Sequence, residues 1–91
     1  MSNFSVYKYK LDCPGETTVE MPLYAQVLTA QLQGIDLCVW VRCSTVAPTV
    51  PRKFSVIGTG WDTDFDGQEL KYVATVQDGS RYVWHVFEEG R

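Results

Sequence analysis

Leu70-Lys71-Tyr72-Val73-Ala74-Thr75-Val76-Gln77-Asp78-Gly79-Ser80-Arg81-Tyr82-Val83-Trp84-His85-Val86-Phe87-Glu88 decides the fold. Two runs of alternating character, Leu70 to Gln77 and Arg81 to Glu88, flank Asp78-Gly79, a dipeptide suited to the positive φ angles of a tight hairpin turn. The period of two places Leu70, Tyr72, Ala74 and Val76 on one face, with Tyr82, Trp84 and Val86 as the matching inward set.

The same period extends towards the N-terminus. Leu37 to Cys43 (LCVWVRC) is apolar on both faces, as expected of a central strand. Ala25 to Gln33 alternates Leu28, Ala30 and Leu32 with Thr29, Gln31 and Gln33, and Gln33-Gly34-Ile35-Asp36 turns it back into the central strand. Ser5 to Leu11 sets Val6, Lys8 and Lys10 against Tyr7, Tyr9 and Leu11. Thr17 to Met21 is a short strand closed by Pro22, which donates no ladder hydrogen bond, and the first two strands are expected to pair as a hairpin across Asp12-Cys13-Pro14-Gly15. Ala47-Pro48-Thr49-Val50-Pro51 reads as a loop, and Lys53 to Ile57 as a strand. No stretch carries a helical stripe. The expectation is an all-β fold, a small antiparallel sandwich or partly open barrel of about six to seven strands.

With 91 residues there is room for one domain, 1–91. Apolar residues make up 45% and charged residues 21%, a folded rather than disordered balance. A net charge of −3 disfavours direct binding to duplex nucleic acid, which needs a basic face. No run approaches a membrane span, and the first dozen residues lack a secretory pattern. Cys13, Cys38 and Cys43 lack CxxC spacing and suit a reducing cytoplasm.

Chemistry-bearing motifs are few. Asp62, Asp64 and Asp66 before Gly67 form the first half of a calcium-loop signature, but its twelfth position falls on Val73, so a solvated acidic connection is the stronger reading and no metal is expected. Gly58-Thr59-Gly60 at a strand end could form an anion nest with Trp61 stacking on a base, although such a pair of glycines more often marks a bend. His85, the sole histidine, reads as a strand residue with satisfied hydrogen bonds rather than a general base. Neither a catalytic residue nor a cofactor is expected. Tyr7, Tyr9, Trp40, Trp61, Tyr82 and Trp84 exceed what one face of a small sheet needs, and they are accounted for either by a partner surface or self-association or by the two sides of a closed barrel or sandwich.

Tyr7-Lys8-Tyr9-Lys10-Leu11, Met21-Pro22, the tryptophan strand Leu37 to Val41, Gly58-Thr59-Gly60, Thr75-Val76-Gln77 and Val83-Trp84-His85-Val86-Phe87-Glu88 together resemble a family of small uncharacterised proteins of tailed bacteriophages. The resemblance spans the whole chain and carries no established activity. It implies a phage protein acting in the host cytoplasm. By analogy, the expected function is a non-enzymatic inhibitor that binds a host protein, an anti-CRISPR-like counter-defence factor. Trp61 would be its anchor, and Asp62, Asp64 and Asp66 would steer a basic partner surface. The alternative is a sponge for a cyclic-nucleotide immune signal, held by Gly58, Thr59, Gly60 and Trp61.

Overall fold

The computed structural model describes residues 3–63 and 69–90. Seven strands run in order: β1 (Phe4–Leu11), β2 (Gly15–Pro22), β3 (Gln26–Gln33), β4 (Asp36–Ser44), β5 (Thr49–Gly58), β6 (Leu70–Gln77) and β7 (Val83–Glu89). They form two antiparallel sheets, β1-β4-β3 and β2-β5-β7-β6, with no helix among the described residues. The expected all-β sandwich is thus present, with β4 as the central strand of its sheet. One expected loop is part of a strand: β5 starts at Thr49 and contains Pro51 opposite Glu20. Proline is tolerated there because β7 pairs with β5 only from Phe54 onward, so no β7 partner requires the missing N–H.

The expected β1–β2 hairpin does not form. β1 pairs with β4, from Phe4↔Ser44 to Leu11↔Leu37, and β2 pairs with β5, from Gly15↔Val56 to Pro22↔Thr49. The corner between them, with a cis Cys13–Pro14 peptide, crosses from one sheet to the other, and the Asp12 N–H donates to Thr17 Oγ1 at 2.8 Å. Crossing lets Leu11 on β1 and Val19 and Met21 on β2 enter one core from opposite sides. This corner lies at the hairpin end of the molecule, with the β3–β4 and β6–β7 turns. The β2–β3 and β4–β5 connections cross between the sheets at the other end, the crossover end.

Phe54, Val56, Val86, Val39, Val41, Leu37, Met21 and Ala30 are almost fully buried between the sheets. Two bulges correct the expected inward sets. The register of β3 on β4 skips between Val27 and Thr29, so Leu28 is 48% exposed while Val27 packs on the core. That of β6 on β7 skips between Tyr72 and Ala74, so Val73 packs inward and Tyr72, paired with Phe87, is 64% exposed. A bulge adds one residue and inverts the alternation beyond it. Tyr82 precedes β7 and is also exposed. Leu70 leaves the inward set with Tyr72, because it pairs with Glu89.

One charged pair enters the core layer. Arg52 and Glu88 extend the inward rows of Phe54 and Val86, and their side chains are 19% and 11% exposed. Arg52 donates from Nε and, at 3.0 Å, from Nη2 to the two carboxylate oxygens, while Nη1 donates to the Ala25 carbonyl at 2.8 Å. This fork ties β5 to β7 and to the start of β3. Removing one partner strands a charge with little access to water, which typically costs about 3 kcal/mol, whereas replacing both with apolar groups costs far less. Urea denaturation is therefore expected to show Arg52→Met strongly destabilised and Arg52→Met with Glu88→Leu largely restored. Equal stability of the single variant and the parent would disprove this role.

Candidate functional site

Trp61 is placed by the turn that ends β5. The Trp61 N–H donates to the Gly58 carbonyl at 3.1 Å, and Gly60 has a φ of 82°, a conformation that favours glycine. The indole folds back over Gly58, where a Cβ would lie 2.8 Å from Trp61 Cε2. It meets Trp84 edge-to-face, with centroids 5.2 Å apart and planes at 88°. Tyr82 stacks on Trp84 at 5.4 Å and 21°. Trp61 therefore caps the core at the hairpin end, yet 44% of it stays exposed, as does 47% of Tyr82.

Carboxylates surround this aromatic rim. The topology brings Asp12, Glu16, Asp36, Asp62 and Asp78 to the hairpin end, against Lys10, which pairs with Asp36 at 3.4 Å, and Arg81. Asp62 is exposed and borders a shallow cleft of about 280 Å³ with Gly15, Glu16 and Ile57. Asp64 and Asp66 lie outside the described residues. Among the described residues no cluster of metal-ligating side chains occurs. Asp78 organises the β6–β7 turn: one oxygen accepts from the Ser80 amide at 2.9 Å and hydroxyl at 2.6 Å, the other from Trp84 Nε1 at 3.2 Å. Bonds from the Ser80 hydroxyl and amide, then from Trp84, hold its carboxyl below the usual carboxylate range. Partial burial and the Asp78 charge raise the Cys13 thiol above its ordinary value, which makes it a poor nucleophile at neutral pH.

The Gly58-Thr59-Gly60 amides are not a free nest. Thr59 N–H donates to the Val83 carbonyl at 3.1 Å, and the Trp61 N–H is committed to Gly58. Both nitrogens of His85 are engaged, Nε2 with Thr59 Oγ1 at 2.6 Å and Nδ1 with Thr75 Oγ1 at 3.2 Å, and Tyr72 OH lies 2.9 Å from the same Thr75 oxygen. This hydrogen-bonded row crosses the outer face of the sheet from β6 to the end of β5.

The sequence reading did not anticipate the crossover end. The two bulges meet there: Val27 and Leu28 of β3 and Tyr72 and Val73 of β6 line a cleft of about 310 Å³ with Arg52, Lys71 and Glu88. A second cleft of about 470 Å³ shares Arg52, Lys71 and Glu88 and reaches Tyr24. Tyr24 stands 89% exposed with a φ of 66°, in a turn closed by the Ala25 N–H on the Pro22 carbonyl at 3.0 Å. Left-handed backbone at a non-glycine residue costs about 1 kcal/mol or more. Alternation beyond Trp84 and Val86 already placed Glu88 inward, and this was the available signal for the ion pair. The Tyr24 conformation had none.

Residues 3–91 match the family model of a domain of unknown function (DUF7352). No curated protein sequence and no solved structure matches the chain.

Gly58→Ala is expected to push the Trp61 indole off Trp84 with loss of about 1 kcal/mol of aromatic pairing. Its readouts are weakened near-ultraviolet circular dichroism and red-shifted tryptophan emission; an unchanged spectrum would refute the packing. Acid has a separate effect through Asp78. Because its carboxyl is depressed in the folded state, its contribution is present above the unfolded value of about 3.9 and is lost as pH falls through the lower folded value. Melting temperature measured against pH should thus fall less steeply below about pH 4 in Asp78→Asn than in the parent, and superimposable curves would reject the assignment.

Proposed function

We propose that this chain, which belongs to the family of that domain of unknown function, works by binding and not by catalysis. In the setting implied by its resemblance to small phage proteins, it is a non-enzymatic inhibitor that captures a host protein in the host cytoplasm, as a counter-defence factor of anti-CRISPR type would. A single observation carries the reading: a pre-ordered, half-exposed tryptophan stands at the carboxylate-rich end of the molecule.

Aromatic side chains dominate protein-binding hot spots because they bury large area with few rotatable bonds. Trp61 is already held by Gly58 and Trp84, so little of its freedom remains to be lost on docking. Tyr82 extends the same exposed apolar strip. Around it Asp12, Glu16, Asp62 and Asp78 set up a negative field that attracts a basic surface, such as the nucleic-acid channel of a CRISPR effector, and raises the association rate. Asp64 and Asp66 follow Asp62 in the same acidic stretch of the sequence. The nucleotide-sponge alternative has less support, since the Thr59 and Trp61 amides it needs are spent on Val83 and Gly58.

The test is capture of a target from host lysate on the immobilised protein, followed by binding kinetics with that target. Trp61→Ala should weaken binding by at least about tenfold, or 1.4 kcal/mol, through faster dissociation. Asp62→Asn with Asp64→Asn and Asp66→Asn should slow association and flatten its salt dependence. Full affinity in the Trp61 variant, with its fold intact by circular dichroism, would remove the rim from the interface; a melting-temperature rise with a cyclic nucleotide would favour the sponge.

A further inference from the structure

The two sheets come together along β3 and β6 and much less along β1 and β2, which the short corner at residues 12–14 joins. β1 and β2 are therefore both edge strands, eight residues each, on the same open side of the sandwich. Their side chains have opposite character. The outward row of β1 is Phe4, Val6, Lys8 and Lys10, and that of β2 is Glu16, Thr18 and Glu20, all exposed. Tyr7, 36% exposed, and the half-buried Tyr9 point into the gap between them.

We propose that this open side is a self-complementary interface, in which β1 of one copy of this chain pairs with β2 of a second copy and the reverse. The geometry permits it with one two-fold axis parallel to the strands. Rotation about that axis brings the second copy's β2 to the level of β1, and because β1 and β2 run in opposite directions, the new pairing is antiparallel. Both sheets then run on into the other copy without a break, as β3-β4-β1 joined to β2-β5-β7-β6. β1 ends and β2 begins at the hairpin end, so Lys10 comes level with the second copy's Glu16, and Lys8 falls between its Glu16 and Glu20. The pairing is isologous and closes on itself, so it yields a dimer and not a filament. Lysines on one edge alone would read as a guard against strand addition. Glutamates on the other edge of the same gap make them a match instead.

Existing partners do not consume these charges. Lys10 pairs with Asp36 at 3.4 Å and Glu16 with Lys53 at 3.3 Å, but each pair is about half exposed or more, and such pairs are weak. Lys8 donates to the neutral Gln33, and Glu20 has no ion pair among the described residues. The interface lies on the open side rather than on the Trp61 rim, and the two surfaces share Glu16 at their margin.

Light scattering and sedimentation of the full chain test it. The parent should dimerise, and Lys8→Glu with Lys10→Glu, or Glu16→Lys with Glu20→Lys, should each raise the dissociation constant by roughly a hundredfold through like-charge contacts. Combining all four reversals restores complementarity and should restore the dimer. A parent that stays monomeric up to millimolar concentration overturns the proposal, as does a dimer indifferent to either reversal. If a variant fails to fold, hydrogen exchange on the parent decides: β1 and β2 edge amides should gain protection with concentration, and no gain at those strands is equally fatal.

Discussion

The architecture depends on how the two sheets meet along β3 and β6. Each of these edge strands carries a bulge, between Val27 and Thr29 in one and between Tyr72 and Ala74 in the other, and both bulges line the same cleft. A bulge bends its strand and sharpens the local twist, so two placed face to face let the sheets fold towards each other without a hydrogen-bonded seam. Closing one side leaves the other, at β1 and β2, as the open side. It also leaves a polar opening at the crossover end, where Arg52 and Glu88 fill the gap with a fork that satisfies both the carboxylate and a carbonyl of the crossing chain.

Charge is then distributed by topology rather than by sequence neighbourhood. Asp12 and Glu16, Asp36, Asp62 and Asp78 come from four separate stretches of the chain, yet every one sits at or beside a turn of the hairpin end. At the crossover end Arg42, Arg52 and Lys71 are balanced by Glu20, Glu69, Glu88 and Glu89; Arg52 is locked to Glu88 and Arg42 lies over the Phe4 ring at 4.7 Å. With a net charge of only −3, the excess of carboxylates at the hairpin end against a balanced crossover end gives the molecule a directional field that its composition alone does not suggest.

What the sequence made legible is what depends on local periodicity. Asp78-Gly79 marks the β6–β7 turn, the doubly apolar Leu37 to Cys43 marks a central strand, and the alternation of Tyr9 and Leu11 with Lys8 and Lys10 assigns the faces of β1. What escaped depends on contacts between sheets. The pairing of β1 with β4 instead of β2 is decided by which apolar sets face each other across the core, not by the short corner that joins β1 to β2. The bulges that expose Leu28 and Tyr72 exist because β3 must approach β6, and a strict period of two cannot register an extra residue. Trp61 was recognisable as an exposed aromatic, but its seat against Trp84 was not, since Trp84 lies far along the chain.

The turn at residues 58–61 is fixed from three directions. On the backbone side, Thr59 bonds to Val83 and Trp61 to Gly58. On the outer face, the Thr59 hydroxyl is held by His85, itself braced through Thr75 and Tyr72. On the core side, Trp84 receives the Trp61 ring while its own indole N–H is pinned by Asp78. A large aromatic kept half in water is normally free to collapse onto neighbouring apolar surface or to wander among rotamers; this one is held by restraints from β5, β6 and β7 together. Such ordering removes much of the conformational entropy that binding would otherwise have to overcome. That is why a turn with its amides already spent makes a poor cradle for a small anion but a good rigid edge for docking against another macromolecule.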